Sequence, residues 1–426
     1  MKRDLIFLFL VVLLLPSCRK QTGWVIENTL QMERPDEIII LTRNEVASKL
    51  AIPGDKVPVF YMGNKLLPSQ VDDMDRDGKW DEVVILVDMA PSASQKMIIS
   101  FVEPSQYPVF EKKTNLRLGI LQSDSTYAEV DQYFAPSCRD SFRVIAQAES
   151  VNWENDKFGF RTYFDCRNVK DLFGKRKPVM VIDSLDQPGF PGYHELADWG
   201  MDVLHCGSSL GSGGLALLKN DSLYRLGSTD VFEYQKITEG AVRSVFELRY
   251  KGWQVDSLRL EAVERISVFP GKYWFQSEVS VKGLPAGAEI VTGIVTSKLT
   301  RQPFEFRESG FTCIGTHDVQ SLNNDELGMA VLVPENETGK TGRTTDIDYF
   351  AKGFRTVKEK NFSQLISQTY YISQKAADNQ PSKHWFAAVW GLENAQWKTE
   401  EGFRLYLKRE MEKLANPLVI KGLSGN

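Results

Sequence analysis

Between about Leu116 and His384 the chain repeatedly alternates apolar and polar residues, the two-residue period of a strand with one buried face. In 158–165 the residues Phe158, Phe160 and Phe164 fall on one face, with Arg161, Tyr163 and Asp165 on the other. In 241–250 Val242, Phe246 and Leu248 oppose Arg243, Glu247 and Arg249, and similar runs follow at 258–268, 273–281 and 329–333. Long alternating strands joined by turns predict a large antiparallel sandwich over 116–420 with at least one solvated face, a surface that suits a glycan. Shorter β-rich runs at 37–41 and 57–61, punctuated by Pro, Gly, Asn and Asp, predict a small β-sandwich over 24–110. One helix is predicted, near the C-terminus. There Thr399 serves as N-cap, Glu400 and Glu401 suit the first turn, and Phe403, Tyr406, Leu407, Met411 and Leu414 form an apolar stripe that ends at Asn416-Pro417.

The first 18 residues depart from this pattern. Lys2 and Arg3 precede an apolar run, Leu5 to Leu15, too short to span a bilayer, and Leu15-Pro16-Ser17-Cys18 matches a bacterial lipobox. This predicts a lipoprotein signal peptide over 1–18, lipidation of Cys18, and a periplasmic or outer-membrane location anchored through the lipid. Pro16 is unusual in a lipobox, and ordinary secretion with Cys18 incidental is the competing reading. The remaining cysteines, Cys138, Cys166, Cys206 and Cys313, form no CxxC pair, so they read as free and buried rather than as a zinc or redox motif. Among 426 residues a net charge of −5, with acids and bases interspersed, offers none of the basic footprint of a nucleic-acid binder. An anionic small substrate held by local arginines is compatible with it.

One acidic motif stands apart. Asp73, Asp75, Asp77 and Asp81 fit DxDxDGxxD, a spacing that converges carboxylates on a hard cation while Gly78 takes the sharp turn. The twelfth position of an EF-hand would be Val84, and the following 83–87 reads as a strand, so the expected object is a structural Ca²⁺ loop in a β-hairpin, with an acidic turn holding no metal as the alternative. No cofactor for catalysis is expected.

Polar chemistry is densest in 193–218, YHELADWGMDVLHCGSSLGSGGLALL. His194, Asp198 and Asp202 recur at four-residue spacing, which a helix would present on one face, though Gly200 disfavours a helix there. Three readings compete. His194 or Tyr193 is a general acid or base with Asp198 orienting the imidazole; or His194, Asp198 and His205 bind a metal; or the histidine only shapes a loop. On the strand 158–165 Arg161 offers a planar fork for a carboxylate and Tyr163 a hydroxyl on the same face, unless Arg161 simply pairs with Asp156 or Asp165. Trp153, Trp199, Trp274, Trp385 and Trp390 are candidates for sugar stacking, although most tryptophans fill cores. Asp202 and Ser208 complete the candidate substrate contacts. The 207–214 glycine-serine run is not GxxxxGKS and follows no βαβ pattern, which argues against a nucleotide cradle, and no serine-hydrolase elbow is expected there.

Five stretches carry a family resemblance: LPSQVDDMDRDGKWDEVVILVDM (67–89), FRTYFDCRNVKDLFGK (160–175), YHELADWGMDVLHCGSSLGSGGLAL (193–217), RSVFELRY (243–250) and ENAQWKTEEGFRLYLKREMEKLANPL (393–418). With these the sequence resembles secreted or lipid-anchored proteins, long catalogued as a domain of unknown function, from the polysaccharide-utilisation loci of marine and gut glycan degraders. One branch comprises oligosaccharide dehydratases acting on ulvan-lyase products. The resemblance implies an all-β fold, a galactose-mutarotase-like antiparallel β-sandwich (supersandwich) preceded by a small β-sandwich. It also implies site residues at Arg161, Tyr163, His194 and Asp198.

The expected function is a carbon–oxygen lyase acting on acidic, uronic-acid-containing oligosaccharides, most specifically a dehydratase of unsaturated oligosaccharides. Such an elimination needs a base for a carbon-bound proton, an acid for the departing hydroxyl and a cation for the carboxylate, roles open to His194, Tyr163 or Tyr193, and Arg161. A polysaccharide lyase or a glycoside hydrolase using Glu195, Asp198 and Asp202, and a non-catalytic glycan-binding lipoprotein, are the alternatives.

Overall fold

The computed structural model describes residues 22–136, 145–227, 229–349, 351–352 and 364–422. The signal segment with Cys18, and Cys138, lie outside the described residues. Every named strand pairing is antiparallel, and the predicted strands form much as the alternation requires: 258–268 is a strand over Leu258–Val268, 273–281 over Trp274–Lys282, and 329–333 lies within Glu326–Pro334.

The large unit is a two-layer sandwich. One layer is a nine-stranded sheet running Gln132–Pro136, Val231–Glu239, Ser244–Val255, Leu258–Val268, Trp274–Lys282, Ser382–Trp390, Glu326–Pro334, Phe311–Val319 and Phe304–Glu308. The facing layer is two five-stranded sheets, one ordered Gly200–Asp202, Lys170–Lys175, Phe158–Tyr163, Ser150–Asn155, Thr114–Arg117, the other Ser222–Arg225, Ser212–Lys219, Glu289–Val295, Thr369–Lys375, Thr338–Arg343. One apolar core joins the layers, with Trp153 stacked on Phe160 at 5.9 Å and edge-on to Phe275 at 5.4 Å.

The far face of the nine-stranded sheet is closed by helix. Helix α1 is the short Arg43–Lys49, and α2, Glu400–Ala415, is the predicted C-terminal helix, capped by Thr399 accepting from Gly402 N. From the predicted stripe, Phe403, Leu407 and Met411 are buried against Trp274, Phe304, Leu332 and Trp385. Helix α1 escapes sequence reading because it buries only Val46 and shows no periodicity; a capping box between Thr42 and Glu45 starts it.

The N-terminal strands form a second sandwich, a three-stranded sheet of Arg34–Thr42, Glu82–Met89 and Ser69–Asp72 against a five-stranded one, around Trp24, Phe60, Val83 and Ile85. An edge strand of the five-stranded sheet is Val419–Gly422, which pairs with Gly23–Glu27, so the chain returns to its beginning to finish the small sandwich. The linear division at 116–420 does not show this, because the partner of an edge strand is chosen by space and not by sequence.

The sandwiches are joined by polar groups. Gln70 Oε1 accepts from Val242 N and Arg243 N at 3.1 Å, and its Nε2 donates to Arg243 O at 2.9 Å. Arg243, placed by alternation on the face away from the core, donates from Nε to Asp72 at 2.8 Å and from Nη2 to Glu82 at 2.9 Å. Asp72 is buried, so removing its guanidinium strands a carboxylate. Arg243→Ala is expected to lower stability by roughly 3 kcal/mol, read from the urea unfolding midpoint, whereas Arg259→Ala in an exposed pair should change it by under about 1 kcal/mol.

Candidate functional site

Strand register assembles the polar cluster. Arg161 pairs directly with Asp171, and Phe173, two residues on and therefore on the same face, pairs with Asp202. Three strands thus direct Arg161, Tyr163, Asp171 and Asp202 to one side. The edge strand bearing Asp202 starts at Gly200, with φ +143° and a position where a Cβ would lie 1.8 Å from Gly174 O, so only glycine lets that strand dock.

Arg161 is fully buried. Its Nε and Nη2 donate to Asp171 Oδ2 at 3.0 and 2.6 Å, Nη2 also to Asp202 Oδ2 at 2.5 Å and the Tyr163 hydroxyl at 2.6 Å, and Nη1 to Ala148 O at 3.3 Å. The rings of Tyr163, Phe173 and Tyr193 lie 4.5–5.2 Å from the guanidinium carbon. Within this strand only Tyr163 stays partly exposed. Residues around Ala148 and the loop ending in Gly200–Asp202 cover the strand, and the expectation of Arg161 as an exposed carboxylate clamp is corrected: its guanidinium is buried and turned to acceptors of the protein itself. Its partners are Asp171 and Asp202 rather than Asp156 or Asp165.

His194 is the accessible member, its side chain 68% exposed, with Nδ1 3.5 Å from Asp202 Oδ2. Hydrogen bonding to the Asp202 carboxylate raises its pKa above the usual 6.5, partly opposed by burial. Tyr193 is buried beneath, its ring 4.3 Å from the imidazole, and burial pushes its phenol up to about 12. Burial also drives Tyr163 well above the tyrosine range despite Arg161, so its hydroxyl stays protonated. Burial, then the Asp202 charge, raises the Asp171 carboxyl.

Other predicted site residues are placed elsewhere. The 193–199 stretch is turns, not helix, so the four-residue spacing loses its meaning. Asp198, expected to orient His194, is exposed and pairs with Lys177 at 3.3 Å; Asp202 takes that position instead. Trp199 is buried with Phe173 and Phe190 rather than displayed, and Trp153, Trp274, Trp385 and Trp390 are buried as well. Ser208 is buried, its hydroxyl bonded to Ser367 at 2.5 Å and its carbonyl to Arg225 at 2.6 Å, which removes it from substrate contact. Further tethers, Lys170 to Gly213 O at 2.9 Å and Arg167 to Gly207 O at 3.0 Å, hold the glycine-serine run as a fixed turn. Cys166 is buried, and Cys206 and Cys313 are free and buried. Burial raises the Cys206 thiol, so it is no nucleophile.

The family model described as a domain of unknown function, DUF4861, matches residues 26–420. The chain belongs to this family. It is 23% identical to "Uncharacterized protein P7" of Formosa agariphila over 434 residues, covering 96% of each chain. Among solved structures it is similar to an alpha-mannosidase from Enterococcus faecalis and to a glycosyl hydrolase family 38 protein from the same organism, each at TM-score 0.50 and 9% identity. The match covers 97% and 96% of this chain but 47% and 48% of those, so the chain spans about half their length. At such identity the likeness is one of fold, and it agrees with the β-sandwich architecture.

Asp171 is the member of the cluster that sequence reading missed. It stands in the quoted 160–175 stretch, but nothing marks it until the strand pairing sets it against Arg161. In the small sandwich, Asp73, Asp75 and Asp81 each bring an oxygen within 4.8 Å of the others, an arrangement able to hold a cation. Asp77 is not part of that group; its Oδ1 accepts from Lys79 N at 2.8 Å.

Asp202→Asn removes the charge that favours the imidazolium, and the His194 pKa measured by NMR titration is expected to fall towards 6.5. The sign follows from the raised folded value: the stabilising contribution of His194 is fully present below pH 6.5 and disappears as pH rises through the folded pKa. Asp202→Asn should flatten that part of the stability profile.

Proposed function

We propose that the chain is a carbon–oxygen lyase of acidic oligosaccharides, with dehydration of an unsaturated uronate-containing oligosaccharide as the reaction. The observation that carries this is the exposed imidazole of His194 set on the Asp202–Arg161–Asp171 cluster, a proton-transfer group whose charged form is stabilised from beneath. With Nδ1 facing Asp202, Nε2 is free to meet substrate. In the reaction His194 accepts a proton from a ring carbon adjacent to the hydroxyl-bearing carbon, the electron pair of that C–H bond forms the new C=C bond, and the C–O bond to the hydroxyl breaks. Tyr163, held as the phenol, donates a hydrogen bond to the departing oxygen, and the imidazolium returns the proton to release water. Arg161 fixes Tyr163 and Asp202 and acts as a positioning residue. The sugar carboxylate is met by exposed cations next to Ala197 and Asp198, Arg176 and Lys177. The sequence resemblance to proteins of glycan-degrading loci and a fold shared with proteins titled as glycosidases support a glycan substrate, and a lipid anchor at Cys18 would place it at the cell envelope.

Incubation with unsaturated uronate oligosaccharides, followed by mass spectrometry, is expected to show loss of one water per chain, reduced by about 10²-fold or more in His194→Ala. Chain cleavage would point instead to a lyase or to a hydrolase using Glu195 and Asp198, and binding without product to a non-catalytic glycan-binding protein. Either result sinks the dehydratase.

We also propose that the Asp73–Asp81 hairpin takes Ca²⁺ as a structural staple. None of Asp73, Asp75 and Asp81 has a Lys or Arg partner within ion-pair distance among the described residues, and the donor set is all oxygen, as a hard cation prefers. The neighbouring Asp72 and Glu82 hold Arg243 of the large sandwich, so the ion would stiffen the hairpin at the joint. Ca²⁺ at a hundredfold excess over its Kd should stabilise the protein by about 2.7 kcal/mol relative to EDTA, an effect absent in Asp73→Ala.

A further inference from the structure

We propose that the groove between helix α2, the turn before Trp274 and the 31–35 segment of the small sandwich is a second glycan site that takes a carboxylate-bearing sugar residue. It rests on the reading of the ligand as an acidic oligosaccharide. The groove has a volume of about 530 Å³, enough for a sugar unit and far more than an inorganic ion needs.

A buried charge network runs from its floor, where Lys272, Glu410 and Lys413 line it, to Arg34 and Glu37 in the adjoining pocket. Glu37 accepts from Arg34 at 2.7 Å and from Lys272 at 2.9 Å; Glu410 accepts from Lys413 at 2.8 Å and from the Trp274 indole at 2.9 Å, with Lys272 3.9 Å away. These three cations and two carboxylates have side chains no more than 12% exposed. The opposite charges favour the ionised forms of Lys272, Glu37 and Glu410. Burial disfavours the charge on Lys272, but Glu410 and Glu37 outweigh it and raise its pKa; burial likewise opposes the carboxylates, and Lys272 with Arg34 or Lys413 lowers theirs. The contact network is left with one positive charge in excess in a poorly solvated setting, where an external anion is worth more than at an exposed surface. The next acid, Asp36, is not in ion-pair contact with Lys272, and burial and Asp156 disfavour its charge.

The rim extends the same chemistry. Arg409 lines the groove, is exposed and has no acidic partner among the described residues, with exposed Glu33 as the acid among the lining residues. Tyr273 and Tyr406, rings 5.4 Å apart, form an aromatic wall beside the amide of Gln396, the combination of flat apolar surface and hydrogen-bonding groups that a pyranose presents in reverse. Its lining residues share none with the His194 cluster, so it would hold a remote part of a long chain or a second chain.

The test is calorimetric titration of the full chain with a glucuronate-containing oligosaccharide and with an uncharged one of equal length, in wild type, Arg409→Glu and His194→Ala. Arg409→Glu, an exposed change outside the buried network, is expected to weaken acidic-oligosaccharide binding about tenfold or more, with the melting temperature and the turnover of a short substrate unchanged. Binding should persist in His194→Ala. Undetectable binding in wild type, equal affinity for the uncharged oligosaccharide, or unchanged affinity in Arg409→Glu would overturn the groove. Arg409-dependent binding without turnover of any substrate would uphold the groove while defeating the dehydratase reading.

Discussion

A single buried guanidinium organises the candidate site. Arg161 has no contact with solvent, and its charge is tolerable only because Asp171 and Asp202 arrive from two other strands of its sheet and Tyr163 and Ala148 accept from it as well. A buried charge of this kind stabilises little in itself, since desolvation consumes most of the attraction, but each partner becomes indispensable once the others are in place. One cation facing two carboxylates leaves a residual negative charge, and the imidazole of His194 at the rim is where a proton can answer it. The charge state of the exposed group is thereby biased by groups buried beneath it.

The same logic recurs where the two sandwiches meet. Arg243 joins Asp72 and Glu82 on one side, and Lys272 joins Glu37 beside helix α2 on another. The final strand Val419–Gly422 then ties the chain's end into its first sheet. Charged contacts with demanding geometry fix one orientation of the small sandwich, where a purely apolar joint would permit sliding. The Asp-rich hairpin lies beside the first of these contacts and the anion-accepting groove beside the second, so both proposed ligands would act on a joint that is already polar.

Much of the fold is legible in the alternation of residues. Leu258–Val268 begins and ends where its pattern does, and the stripe Phe403, Leu407, Met411 marks the buried face of α2. The site was legible only in part. His194, Tyr193, Tyr163, Arg161 and Asp202 stand in distinctive polar stretches, yet the alternation that put Arg161 on a polar face implied solvent there, and the loop that covers it cannot be seen from the strand. Asp198 was the natural partner of His194 by helical spacing; a chain that turns and then extends brings Asp202 there instead. Asp171 carried no signal at all, because a cross-strand pair is a property of register.

By itself, the sequence determined what local chemistry can determine: strand period, the cap of helix α2 and the carboxylate spacing of the hairpin. Tertiary structure alone decided which polar residues would be buried and with whom. Burial and cross-strand partners depend on segments far apart in the chain, and the energy of a charge depends on the surroundings those segments make. Arg161 is the case in point: its sequence neighbours make it look like a hand extended to substrate, and the fold makes it the fixed support beneath His194.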